Sequence, residues 1–310
     1  MDKVISVVVP VFNEQFNLPV LYARLKSVLE AISPAHEIIF VNDGSADGSL
    51  AIIKSLAGED GCVRYLSFTR NFGHQVAVTA GLEKACGEAV VIIDSDLQDP
   101  PELIADLYAQ WLEGYKIVYA KRRIRQGETW LKRATAKLFY RVLLSLTDVA
   151  IPLDTGDFRL IDREVVRVIN QMPERNRFLR GMIAWTGYRT IGVEYDREER
   201  LNGKTGYSYR KMFRFALDGI TAFSNAPLKL ASITGFIVSA IAFGVILYAL
   251  YSNFVLEQTI TGWTSLIVSS MFIGGIQLIA IGIIGEYLAR INVDVKKRPL
   301  YIVEEDNVDA

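Results

Sequence analysis

The chain has 310 residues, 51% hydrophobic and 22% charged, a balance that excludes disorder and exceeds what a soluble globule needs, so part of the surface is expected to face lipid. Lys and Arg number 34 against 35 Asp and Glu; with no global field to draw a polyanion, the composition argues against nucleic acid as a partner and leaves anion binding to local clusters. Cys62 and Cys86 have neither CxxC spacing nor neighbouring histidines, which argues against a disulfide framework and a structural zinc site and suits a reducing compartment.

From the N-terminus, β-branched runs at Ile5 to Val9, Glu37 to Val41, Val63 to Phe68 and Ala89 to Ile93 alternate with helical patterns at Leu18 to Ile32, Leu50 to Leu56 and Val76 to Ala85. This alternation predicts βαβ units and a mostly parallel sheet covered on both faces, an α/β fold that binds ligands at the carboxyl ends of its strands. The opening run from Val4 to Phe12 is short and contains Pro10, so no signal peptide is expected. A further β-like run, Lys116 to Ala120, leads into Lys121-Arg122-Arg123-Ile124-Arg125.

Two basic amphipathic patterns follow. Trp130 to Leu146 repeats Leu131, Ala134, Leu138, Val142 and Leu146 beside Lys132, Arg133, Lys137 and Arg141; it suits a helix on the core or on a membrane surface. Tyr207 to Phe223 combines Met212, Phe213, Ala216 and Ile220 with Arg210, Lys211 and Arg214, and is expected at the membrane interface.

The stretches Leu230 to Leu256 and Gln258 to Gly285 contain no charged residue, and only Glu257 separates them. Spanning a bilayer takes about 20 helical residues, whereas buried core helices rarely run that long uncharged, so a transmembrane hairpin is expected. Arg210, Lys211, Arg214 and Lys229 precede it, Arg290, Lys296, Lys297 and Arg298 follow it, and the connection carries no Lys or Arg. The positive-inside rule then puts both termini in the cytoplasm. Glu286 and Arg290 are spaced for an interfacial ion pair. Gly274, Gly275, Gly282 and Gly285 suggest close helix packing, within the hairpin or between subunits of a homo-oligomer, with a tetramer as the working expectation. The expected division is 1–206 catalytic, 207–227 juxtamembrane helix, 228–289 two spans and 290–310 cytoplasmic tail.

No GxGxxG follows the first strand, and Gly203-Lys204-Thr205 has Glu198 where a Walker loop needs glycine, so a dinucleotide oxidoreductase and a P-loop ATPase both drop out. The first strand runs into Pro10-Val11-Phe12-Asn13-Glu14, and the second into Asn42-Asp43-Gly44-Ser45-Ala46-Asp47, by itself a turn and helix cap. The fourth runs into Asp94-Ser95-Asp96-Leu97-Gln98-Asp99-Pro100-Pro101, where the proline pair predicts a turn. Two carboxylates and the Gln98 amide oxygen are hard ligands suited to Mg²⁺ or Mn²⁺ shared with phosphate oxygens; a loop of solvated acids is the ordinary alternative. His36 is expected at the surface, and His74, with no second histidine or cysteine nearby, is not proposed as catalytic.

With Arg70-Asn71-Phe72-Gly73 and Asp154-Thr155-Gly156-Asp157-Phe158-Arg159, these motifs resemble, over nearly the whole chain, the GT-A polyprenyl-phosphate glycosyltransferases of glycosyltransferase family 2, which include dolichol-phosphate mannose synthase and the bactoprenol glucosyltransferases. The resemblance implies a Rossmann-like GT-A domain, interfacial helices and a membrane hairpin. It implies that Pro10, Asn13, Glu14, Asp43 and Asp94 line a nucleotide-sugar pocket, that Asp94, Asp96 and Gln98 hold the metal, and that Asp157 and Asp96 serve catalysis. Arg122, Arg123, Arg200 and Lys204 would meet the diphosphate or the lipid phosphate. Asn42 stands where the family often has Asp. The implied reaction is inverting transfer of a hexose, with UDP-glucose as the first choice of donor, to polyprenyl (undecaprenyl) phosphate. A processive polysaccharide synthase would require a Gln-x-x-Arg-Trp motif and more spans, neither of which is present; a non-catalytic nucleotide-sugar scaffold is the rival of another class.

Overall fold

The structure, a computed structural model, describes residues 4–123, 155–196, 226–254 and 262–308. The first part of the chain alternates β1 (Ile5–Val11), α1 (Leu18–Ile32), β2 (His36–Asn42), α2 (Ser49–Glu59), β3 (Val63–Phe68), α3 (His74–Lys84), β4 (Ala89–Ile92), α4 (Leu103–Leu112) and β5 (Ile117–Arg122). After the segment 124–154 come β6 (Thr155–Asp162), α5 (Arg163–Gln171), α6 (Leu179–Trp185) and β7 (Thr190–Tyr195). Two long helices, α7 (Ala226–Phe254) and α8 (Trp263–Val295), and a last strand, β8 (Val303–Asp306), complete the described chain. The amphipathic patterns 130–146 and 207–223 lie outside the described residues.

All eight strands form one sheet in the order β7-β5-β6-β4-β1-β2-β3-β8. β1 is parallel to both β2 and β4, β2 to β3, and β5 to β7, while β6 and β8 run antiparallel to their neighbours. Successive side chains on a strand point to opposite faces. Val7, Val9, Ile38, Phe40 and Val91 therefore share one core with Leu18, Leu21, Leu25 and Leu29 of α1 and with Ile104 and Leu107 of α4. Val8, Ile39, Val41, Val90 and Ile92 share the other with α3, α5 and α6. Each such side chain contributes about 1.5–3 kcal/mol by leaving water. α3 lies close because Gly81 faces the sheet: a Cβ there would stand 2.2 Å from Val8 Cγ1.

Three sequence expectations need correction. His36 is the first residue of β2 and is buried, its ring Nδ1 2.8 Å from the Ser33 carbonyl. Of the two settings expected for the glycines of α8, the hairpin is not the one seen, since a Cβ at Gly274, Gly275, Gly282 or Gly285 meets nothing within 4 Å among the described residues; packing between subunits stands as the expectation. The segment 290–310, expected as a tail, supplies the last turn of α8 and then β8, which pairs antiparallel with β3 through Leu66 and Asp306, Ser67 and Glu305, and Phe68 and Val303. The acidic composition of Val303-Glu304-Glu305-Asp306 hid a strand whose alternate residues face solvent.

α7 and α8 pack against one another and carry apolar stretches, Pro227–Val245 and Ser269–Val295, long enough to cross a bilayer. Core helices would be buried, whereas no residue of these stretches is, and Phe236 is 82% exposed. Arg290 reaches Glu286 at 3.6 Å, as the spacing predicted.

Candidate active site

The strand order reverses between β1, which leads on to β2 and β3, and β4 on its other side. At such a switch point the loops leaving the carboxyl ends part and leave a crevice. Here it is a cleft of about 260 Å³ lined by Pro10, Phe12, Glu14, Asp43, Asn71, His74, Asp94 and Asp96, among others.

The loop after β1 is braced to the loop after β2. Asn13 has φ of 59°, in the left-handed region that Asn tolerates better than most residues; its N–H donates to Ser45 Oγ at 3.0 Å and its Oδ1 accepts from Ala46 N at 2.8 Å. The Asn13 side chain thus ties two loops together at the rim, while Glu14, whose N–H donates to Ser49 Oγ at 2.9 Å, lines the cleft. Asn42 is buried, donating to Ser67 Oγ at 3.0 Å and accepting from Ser45 N at 3.2 Å.

Asp43 is buried at the cleft wall, where Oδ1 accepts from Phe72 N at 2.6 Å and Oδ2 from Gly73 N at 3.0 Å. Burial pushes its carboxyl above the usual range, against the pull of those two amides. The Arg70–Gly73 loop presses so closely on the next residue that a Cβ at Gly44, φ 65°, would lie 2.4 Å from the Arg70 carbonyl carbon.

β4 stops at Ile92, and the chain turns through Asp94, Ser95 and Asp96 into Leu97, whose φ is 58°. Ser95 Oγ donates to the Pro10 carbonyl at 2.9 Å, Gln98 N–H to Asp96 Oδ1 at 3.2 Å, and Tyr195 OH to Asp99. Asp94 Oδ1 and Gln98 Oε1 are buried acceptors with no hydrogen-bond donor among the described residues. Buried oxygens in that state fit a hard divalent cation. No group of three His, Cys, Asp or Glu side chains is arranged to hold a metal ion among the described residues, so such an ion would draw its remaining ligands from phosphate oxygens or water.

His74, in the first turn of α3, joins this turn to β6: its Nε2 lies 3.6 Å from Asp94 Oδ1 and 3.2 Å from Asp157 Oδ2. Gln75 Nε2 reaches Asp157 Oδ2 at 3.4 Å, Arg180 Nε donates to Asp157 Oδ1 at 2.7 Å, and the buried Arg159 stands 4.0 Å away. Gln75 also accepts from Leu179 N at 3.1 Å, holding α6 in place. Burial alone would raise Asp157, but the His74 bond and the Arg180 charge outweigh it and hold the carboxyl well below the usual range. Burial would lower His74, and the same bond, with the Asp94 charge, lifts it to about 9. Asp94 is raised by burial and by the neighbouring carboxylates Asp157, Asp99 and Asp96, against the pull of His74.

The structure thus brings Pro10, Glu14, Asp43, Asp94 and Asp96 into one cleft, with Gln98 and Asp157 joined to it through Asp96 and His74. Arg122 ends β5. Arg123 is exposed, 3.8 Å from Glu194 and 3.6 Å from Asp196. Arg200 and Lys204 lie outside the described residues. Sequence reasoning missed His74, Gln75 and Arg180; the adjacency of His74 to Arg70-Asn71-Phe72-Gly73 was the available signal for the first two, and Arg180 had none.

An acid-lined cleft at the switch point of a mostly parallel sheet defines a GT-A-type α/β protein, and residues 6–169 match the family described as glycosyl transferase family 2. The chain belongs to that family and is a transferase. It is 48% identical over 300 residues to the "Uncharacterized glycosyltransferase YkcC" of Bacillus subtilis (strain 168), covering 97% of this chain and 93% of that one. It is 44% identical over 303 residues to the "Bactoprenol glucosyl transferase" of Shigella phage SfII, covering 98% of each. Among solved structures, S. aureus TarS 1-349 in complex with UDP-GlcNAc matches 71% of this chain and 66% of that chain with a TM-score of 0.48 and 16% identity.

Proposed function

We propose that the protein transfers a hexose, with inversion, from a nucleotide-sugar donor, UDP-glucose by preference, to polyprenyl phosphate at the cytoplasmic face of a membrane that α7 and α8 span. The observation that carries the reading is the joining of Asp94 to Asp157 through His74. It links an acid-lined cleft to a second, cation-flanked carboxylate, an arrangement that supports a donor site and an acceptor site side by side. The full-length likeness to a relative named for bactoprenol glucosyl transfer supports the acceptor, and the outward-facing apolar helices support the membrane.

In this reading Pro10, Glu14 and Asp43 hold the nucleotide. Asp94, Asp96 and Gln98 would hold Mg²⁺ or Mn²⁺, which when bound neutralises charge on the leaving diphosphate. An acceptor phosphate oxygen attacks the anomeric carbon, and the bond from that carbon to the donor phosphate breaks on the opposite face. A phosphate monoester with a second pKa of about 6 is mostly dianionic at neutral pH, so its attack needs no strong base. Asp157, held as a carboxylate of low basicity, fits an orienting role for the acceptor and for His74 and Arg180.

The test is to incubate purified protein with undecaprenyl phosphate, Mg²⁺ and a panel of nucleotide sugars and to weigh the lipid product. One lipid-linked hexose, lost in EDTA and in Asp96→Asn, is expected. Nucleotide-sugar binding without any lipid product would instead favour a non-catalytic scaffold.

A further inference from the structure

The chain returns from α8 to the catalytic sheet, and the return segment touches Phe68 and Thr69, which lead into the loop bonded to Asp43. Tyr301 stacks on Phe68 with ring centroids 4.9 Å apart and planes 22° from parallel, and Phe68 meets Phe72 edge-on at 5.7 Å. Arg70 lies over the far side of this group, its Cζ 3.9 Å from the Phe72 ring centroid. Thr69 N–H donates to the Ile302 carbonyl at 3.1 Å, and Tyr301 OH donates to Glu83 Oε2 at 2.6 Å, which fixes the ring from α3. The next residues carry the load into the cleft: Phe72 and Gly73 give both of their amides to the Asp43 carboxylate, and Asn71 Nδ2 reaches the Asp43 carbonyl at 3.3 Å.

We infer that Tyr301 is a positioning residue for the nucleotide pocket, a strut through which the segment leaving α8 holds the Arg70–Gly73 loop and so the Asp43 carboxylate. The inference rests on the proposed function for the identity of the ligand, though not for the strut. Loop 70–73 has no regular structure of its own, and a segment without a ladder stays put only if neighbours hold it. Its neighbours are Asp43 and Gly44 on one side, the former bonded to Asn71, Phe72 and Gly73, and Phe68, backed by Tyr301, on the other. An aromatic pair of this geometry contributes enough to change an affinity about fivefold when it is lost.

The experiment uses full-length protein in lipid nanodiscs and three variants, Tyr301→Ala, Tyr301→Phe and Glu305→Gln. UDP with Mg²⁺ is titrated calorimetrically, amide hydrogen exchange is followed at Phe72 and Gly73, and steady-state rates are measured with UDP-glucose and undecaprenyl phosphate. Tyr301→Ala is expected to weaken UDP roughly fivefold, to speed exchange at both amides, and to raise the donor KM while leaving kcat and the lipid KM alone. Tyr301→Phe loses the bond to Glu83 but keeps the stack, and is expected to stay within about twofold of wild type in all three readouts. Glu305→Gln, which loses only the surface pair with Lys54, changes none of them. If Tyr301→Ala does not fold, Tyr301→Leu, apolar but unable to stack, takes its place. Unchanged exchange at Phe72 and Gly73, or faster exchange with unchanged UDP affinity, overturns the inference. Should the wild type bind no UDP, the proposed function falls, and the exchange rates alone decide the strut.

Discussion

Asp157 has two arginines and His74 arranged around its oxygens, and Asp94, 3.6 Å from His74, shares in balancing that positive charge. In the proposed function Arg180, less buried than Arg159, is the guanidinium available to a phosphate. Arg180→Gln keeps most of the side chain's length and removes its charge. A charge-assisted bond is worth about 1.5–3 kcal/mol, so kcat should fall roughly 10- to 100-fold in steady-state assays. Asp157→Asn should lower kcat at least as far while UDP affinity, measured by titration, stays within a few-fold of wild type. Equal losses in both would place Asp157 in the nucleotide pocket instead. The motif around Asp157 was legible because it is contiguous in sequence. Its partners His74 and Arg180, 83 and 23 residues away, were not, since pairing at that separation leaves no local pattern.

At the level of elements, α3 carries His74 and Gln75 at one end and Gly81 against the sheet near the other. Gly81→Ala would drive a methyl into Val8 and Val41, lifting the helix at a cost of about 1–3 kcal/mol. Thermal melts should register that loss, and kcat should fall with it because the lever moves His74. α1 is tied to the end of α2 by Asp60, whose carboxylate accepts from Tyr22 OH at 2.7 Å, Lys26 Nζ at 2.9 Å and Cys62 N at 2.9 Å. Burial would raise Asp60, but these partners outweigh it and hold it below the usual carboxylate range. A depressed folded value stabilises above the unfolded pKa of about 3.9 and loses that contribution as pH falls through the folded value. The wild type should therefore melt higher than Asp60→Asn at pH 7, and the gap should close progressively below about pH 4. Strands β1 to β4 were legible because strands buried on both faces read as apolar β-branched runs. β6, with Asp157, Arg159 and Asp162 in its span, and the half-exposed β7 at the sheet edge carry no such run, so neither had been predicted.

Taken as a whole, the molecule joins a water-facing α/β body to two helices that bury none of their apolar stretches. In the proposed membrane setting, the protein should stay in the pellet after carbonate washing. A cysteine placed at Asn253 should react with an impermeant reagent added to intact cells, whereas one at Asp306 should not; the reverse result would invert the orientation. The hairpin was legible from charge-free length alone, but the return of the chain was not, because an acidic four-residue strand resembles a solvated end. That return sets an order of events during synthesis. The outer edge of β3 emerges from the ribosome early and waits without its partner until both long helices have been made and β8 follows. Before that the exposed edge is that of β3, with Arg64 on it, and afterwards it is that of the short acidic β8; edges are where chains pair, so chains released before Val303 should associate with one another more readily than finished ones.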